Sequence, residues 1–142
     1  MSTKIFLDNA SVSKMYCIDP WIGGYDENDG ASFSNMDEVE AEFDERIYTK
    51  YTNVIKIKEL SVDACEQFED EFFDVVYIDG DHTYNGVMSD IRSYLPKVKH
   101  GGLLCGHDYW DSGLVAPKQA VDDVFGKPDM VFSDGSWMIR VI

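Results

Sequence analysis

The residues best suited to chemistry stand at the end of one apolar run. Phe73-Asp74-Val75-Val76-Tyr77-Ile78 leads directly into Asp79-Gly80-Asp81-His82. Carboxylates hold hard divalent cations, and a histidine with an ordinary pKa of about 6.5 can take a proton from a hydroxyl. His82, three positions beyond Asp79, is spaced to do so for a hydroxyl that Asp79 orients. The run Gly101-Gly102-Leu103-Leu104-Cys105-Gly106 leads in the same way into His107-Asp108. If the two runs are neighbouring strands, Asp79, His107 and Asp108 could converge on one cation. Mg²⁺ prefers oxygen, so His107 could serve from outside its ligand shell. A plainer reading has no ion: Asp79 and Asp81 cap the next helix, and His82 packs as a polar lid.

A third acid, Asp19, follows the apolar Met15–Ile18 and precedes Pro20, which stops a strand. An acid at a strand end can accept bonds from both hydroxyls of an adenosine ribose. Trp21 could stack on a base or fill the edge of the core. Ser61 is a weaker candidate for the adenine end.

These residues need a frame. Met15–Ile18, Asn53–Ile57, Phe73–Ile78 and Leu103–Cys105 read as strands, the third as the clearest buried one and the last as following a Gly101-Gly102 turn. Asn35, with Glu38 three positions on, marks a helix start, and Met36, Val39, Phe43 and Ile47 follow on one face. Val62–Phe68 reads as a short helix. Tyr84–Leu95 is a helix that Pro96 ends, and Pro117 opens another that Gly126 closes. Ser133-Asp134-Gly135-Ser136 between two apolar runs signals a hairpin. Ser2–Leu7 fits helix or strand. Ile22–Ser34, rich in Gly, Asp, Asn and Ser, is a loop that could cover the site. This order predicts an α/β fold, an open and mostly parallel sheet with helices on both faces and an antiparallel C-terminal hairpin.

Composition narrows the partners. The 142 residues suit one domain with a real core. The net charge of −15 repels nucleic-acid backbones and anionic membranes, so neither is expected as a partner. From Asp26 to Glu45 there are many acids and no Lys or Arg, which reads as a solvated face. Cys17, Cys65 and Cys105 form no disulfide framework. No signal peptide or membrane span is visible, and a cytoplasmic protein is the expectation.

The segment Ile78-Asp79-Gly80-Asp81-His82-Thr83-Tyr84, then Leu95-Pro96, Gly101-Gly102 and His107-Asp108, resembles the class I S-adenosylmethionine-dependent methyltransferases. It is most similar to the small-molecule O-methyltransferase-like group with an IDGDHxY…GGxxxxHD hallmark. The resemblance implies a Rossmann-like fold, S-adenosylmethionine as cofactor and a small-molecule hydroxyl as acceptor. It implies Asp19 at the ribose, Ser61 beside adenine and Asp79 near the methionine end or a metal. In metal-dependent relatives the positions of Asp79, His107 and Asp108 supply ligands, which brings in Mg²⁺. Those relatives carry Asp-Asn at the last two. The position of His82 holds the base that deprotonates the acceptor.

The chain departs from the family at its start. The family's first strand ends in an acid and a Gly-rich turn beneath the cofactor, and neither is present. Met1–Leu7 resembles the helix that follows that turn. The expectation is therefore one domain over 1–142, incomplete at its N-terminal side, with a gap between the Met15 and Phe73 strands and weakened cofactor binding. Two other functions stay open. One is a degenerate methyltransferase fold serving as a binding or assembly module, for instance a homodimer. The other is a sugar-nucleotide transferase with Asp79-Gly80-Asp81 as an Asp-x-Asp metal site.

Overall fold

The computed structural model describes residues 2–142. Met1 lies outside them, but the rest of the ambiguous first segment is helical: α1 spans Ser2–Asn9. Ile5 faces solvent, while Phe6 packs on Tyr77 and Leu7 on the core around Trp21.

β1 (Met15–Ile18) and β2 (Val54–Ile57) form a parallel pair with Met15 opposite Val54. β3 (Phe73–Ile78) pairs in parallel with β4 (Val98–Gly106). The C-terminal hairpin, β5 (Met130–Val131) and β6 (Trp137–Arg140), joins antiparallel to β4, giving the order β3-β4-β6-β5. The helices α2 (Met36–Phe43), α3 (Ser61–Ala64), α4 (Tyr84–Tyr94) and α5 (Ala116–Phe125) lie between the strands in sequence. Among the described residues no helix is long and apolar enough to cross a membrane.

The expected gap is present: β1 and β3 share no ladder. Among the described residues, aromatic side chains span it in two places. At one end Tyr16 packs edge-on against Phe68, Phe72 and Phe73, with centroids 5.1 to 5.8 Å apart. At the other, the Phe6 ring of α1 meets Tyr77 of β3 at 5.1 Å. Such aromatic contacts add to area burial but satisfy no backbone group. The run at Phe73–Ile78 is therefore an edge strand rather than a fully buried one, and Val75 is 51% exposed.

Gly101 and Gly102 also differ from expectation. They lie inside β4, not in a turn before it. Phe73 faces Val98, yet Val75 already faces Leu103, so the extra residues form a bulge. The helix after Asn35 does form, but Val39 faces solvent, and beyond Phe43 the chain continues as a wider π-turn over Asp44–Tyr48. Lys56 of β2 anchors it, with Nζ 2.7 Å from both Glu40 and Asp44. Part of the acidic run therefore serves a packed ion pair.

The main core gathers Ile78 of β3, Leu104 of β4, Trp137 and Ile139 of β6, Val87 and Ile91 of α4 and Val121 of α5. Tight strand packing explains Gly106. A Cβ there would fall 2.6 Å from the Trp137 ring and 2.7 Å from the Ile78 carbonyl oxygen. The carbonyl belongs to a paired strand and cannot move aside. Gly106→Ala is expected to cost at least about 2 kcal/mol, read as a lower midpoint in urea denaturation.

Candidate functional site

The carboxyl ends of β3 and β4 lie side by side, because Ile78 pairs with Gly106. The chain leaving each strand supplies polar groups to one place. The His107 amide donates to the Ile78 carbonyl at 3.1 Å, which holds the two exits together. Trp137 Nε1 donates to the His107 carbonyl at 3.2 Å and ties the second exit to β6.

Asp81 and Thr83 shape the first turn. Asp81 Oδ1 accepts from the Thr83 amide at 2.9 Å, and Thr83 Oγ1 accepts from the Gly86 amide at 3.0 Å, capping α4. Asp81 also packs so closely on Gly86 that a Cβ there would clash. Asp79 instead turns toward the other exit. The two acids of the Asp-x-Asp pair thus have different partners, Asp81 the Thr83 amide and Asp79 Ser2 and His82.

His82 stands at the centre. Its Nδ1 lies 2.9 Å from Asp29 Oδ2, and its Nε2 lies 3.1 Å from Asp108 Oδ2 and 3.8 Å from Asp79 Oδ1. The Nε2 is buried without a well-aligned hydrogen bond. The Asp79 carboxylate first, then Asp108 and Asp29, favour the imidazolium against the opposing cost of burial, and lift the His82 pKa to about 9. Burial alone would raise Asp79, but His82, a hydrogen bond from Ser2 and nearby His107 outweigh it and leave its pKa lowered. Ser2 Oγ donates to Asp79 Oδ2 at 3.1 Å, placing the start of α1 at the same site.

This charge cluster predicts a pH dependence of stability. The folded pKa of His82 lies above its ordinary 6.5. Its stabilisation is therefore complete below about pH 6.5 and is lost as the pH rises through about 9. At about 1.4 kcal/mol per pKa unit, the contribution is of order 3 kcal/mol. Urea denaturation at about pH 6 and about pH 9.5 should show this loss in the wild type and a much smaller one in His82→Gln.

The cation expected on Asp79, His107 and Asp108 meets a different donor set. Asp79, His82 and Asp108 each offer an atom within 4.8 Å of the others. The His107 ring lies outside this set, with Nδ1 3.3 Å from Asp108 Oδ2 and the ring roughly perpendicular to Trp110 at 6.4 Å. Two carboxylates and an imidazole suit a divalent transition metal better than Mg²⁺, which requires oxygen. The His82 proton would have to leave before Nε2 could ligate.

The cofactor-side residues divide. Asp19 follows β1, with Oδ1 accepting from the Trp21 amide at 2.6 Å. Packing around its carboxyl raises its pKa, the Trp21 bond works against this, and Glu40 adds to it. Trp21 is 7% exposed, and its ring is covered by Phe43 and by Lys56 Nζ at 4.7 Å. It fills the core and presents no face to a base. Ser61 opens α3, and its Oγ donates to buried Asp90. Its carbonyl accepts from Tyr94 Oη at 2.8 Å. With its proton committed to Asp90, the hydroxyl could meet an adenine only as an acceptor.

Asp29 was not singled out from the sequence. It lies in the 22–34 loop, 53 residues from His82, and no local spacing signals their meeting. Beside the pair opens a cavity of about 390 Å³, lined by Asp26 and Asn28 of the loop, by His82 and Tyr84, and by the 113–116 segment.

Solved structures share this architecture at low sequence identity. A Corynebacterium glutamicum protein superimposes with a TM-score of 0.57 and 15% identity, over 95% of this chain and 62% of its own. A spermidine synthase in complex with a transition-state analogue gives 0.57 and 14%, over 96% and 48%. A Sulfolobus solfataricus protein described as a type 11 methyltransferase gives 0.55 and 14%, over 99% and 77%. The chain thus spans less than two thirds of the first of these structures and about half of the second. No curated protein matches the sequence. A family profile described as a methyltransferase domain matches residues 2–109. With that match over most of its length, and the fold to go with it, this chain belongs to the methyltransferase-domain family.

Proposed function

We propose that this chain transfers a methyl group from S-adenosylmethionine to a hydroxyl of a small molecule. The observation that carries the reading is the convergence of Asp79, His82 and Asp108 from two strand ends beside a cavity of about 390 Å³. When bound, S-adenosylmethionine supplies an electrophilic methyl on a sulfonium whose sulfur leaves as a neutral thioether. Asp19 Oδ2, which takes no hydrogen bond among the described residues, is the group for the ribose hydroxyls. Asp79 orients the acceptor hydroxyl. His82 Nε2 takes its proton as the oxygen attacks in line, and most of the rate comes from positioning. No step needs a metal, though the Asp79-His82-Asp108 set could hold a transition metal once His82 is neutral.

Calorimetry with S-adenosylmethionine on the full-length gene product is the first test. Saturable binding at a single site is expected, weakened at least tenfold in Asp19→Ala. A full-length product that shows no binding heat sinks the reading. Any divalent-metal requirement is read by adding Mn²⁺ or Mg²⁺ to the same titration.

One observation favours a second reading. β1 and β3 are unpaired edges, and Trp21 and Ser61 are engaged inside the fold. A module of this kind would bind a protein partner or a second copy without catalysis. Sedimentation showing a dimer that survives dilution, with no cofactor binding and no effect of Asp79→Ala, would establish it.

A further inference from the structure

The segment between Asp19 and Asn35 forms neither an α-helix nor a strand, yet it is closely tied to itself. Asp26, Asp29 and Ser32 are buried. The Asp26 amide donates to Ser32 Oγ at 3.1 Å, and the Gly24 amide donates to the Ser32 carbonyl at 2.7 Å. Asp29 Oδ1 accepts from the Ala31 amide at 2.9 Å and starts the 3₁₀ turn Gly30–Phe33. The second oxygen of Asp29 leaves the loop and reaches His82 Nδ1 at 2.9 Å. One carboxylate thus belongs both to the loop and to the central side chain of the site.

A bond at one ring nitrogen decides where the other points. With Nδ1 held by Asp29, Nε2 is directed at Asp79 and Asp108, where it is buried without a well-aligned partner. A half-turn of the ring would put carbon, Cδ2 and Cε1, where the two nitrogens now meet these carboxylates. The same loop supplies Asp26 and Asn28 to the cavity. Among the described residues, the Asp29–His82 hydrogen bond thus joins this loop to the ring.

We propose that Asp29 is a positioning residue: it clamps His82 through Nδ1, directs Nε2 toward Asp79, the group that orients the acceptor, and by the same bond straps residues 22–34 down as a wall of the cavity. This rests on His82 being the group that faces the acceptor. The test needs neither cofactor nor activity, so its failure is distinct from failure of the methyltransferase reading.

Hydrogen exchange of the 22–34 backbone in the whole chain reads the strap, and ¹⁵N spectra of the His82 ring read the clamp. Asp29→Ala and His82→Ala should each speed exchange across 22–34 by about tenfold, and the double variant should go no further than either single one. Asp29→Asn keeps one acceptor oxygen, which can serve His82 Nδ1 only with its NH2 set against the Ala31 amide, so it should restore part but not all of the protection. The His82 Nδ1 resonance should shift in Asp29→Ala and stay near its wild-type position in Asp29→Asn. Were Asp29 only a cap for the 3₁₀ turn, Asp29→Ala would open the loop while His82→Ala left it protected and the ring resonance stayed in place. That pattern, or additive effects in the double variant, overturns the proposal. If Asp29→Ala does not fold, exchange in His82→Ala and His82→Gln decides: protection equal to wild type in both overturns it.

Discussion

Replacing His82 with alanine is expected to lower methyl transfer by about 10²–10⁴-fold, the usual range for losing a positioned acid or base. The assay is transfer of a labelled methyl group to a hydroxyl acceptor. The wild-type pH profile should carry the signature of this residue. His82 is held as an imidazolium up to a pKa of about 9, chiefly by Asp79, with Asp108 and Asp29 adding to it. Only the neutral ring can accept a proton, so kcat/KM should rise about tenfold per pH unit below that value and level off above it. His82→Gln keeps an amide near the same carboxylates but cannot titrate, and its profile should lose this limb. An alanine variant within about threefold of wild type would remove His82 from the chemistry. So would a wild-type rate that falls from pH 7 to 9.

The second large effect is structural. Trp137→Ala is expected to destabilise the fold by about 3–5 kcal/mol, the cost of a large buried aromatic lost from a packed core. Trp137 is 1% exposed, lies against Gly106 and sits at the centre of the cluster joining β4, β6, α4 and α5. Its indole also donates to the His107 carbonyl at 3.2 Å. Trp137→Phe keeps much of the apolar area but removes this bond and leaves a smaller void, so it should cost less, about 2 kcal/mol. Urea denaturation of the three proteins gives both numbers. A loss under about 1 kcal/mol in Trp137→Ala would mean that the core does not depend on this residue.

The local grammar of the chain was readable because it depends on neighbours in sequence. Pro96 ends α4 in a short 3₁₀ turn over Leu95–Lys97, and Gly126 closes α5 with a positive φ of 74°. Gly135, with φ of 81°, makes the hairpin turn between β5 and β6. Val39 was misplaced because helical spacing marks a face without saying how far the partner surface extends. Gly101 and Gly102 were misread because a glycine pair signals a break in regular backbone, and a bulge inside β4 breaks it as a turn would.

The sequence by itself determined the alternation of strands and helices, the hairpin, and the placement of Asp79, His82 and Asp108 at strand ends. Each follows from short-range rules of periodicity, capping and turn chemistry. Only the tertiary structure decided what those residues do to one another. It turned Asp81 away onto α4, sealed Trp21 between Phe43 and Lys56, exchanged His107 for His82 in the cation-capable set, and brought Asp29 across to His82. The reason is physical. The charge state of His82 is the sum of fields from carboxylates on three separate segments, and their distances are fixed by packing that no local stretch of sequence encodes.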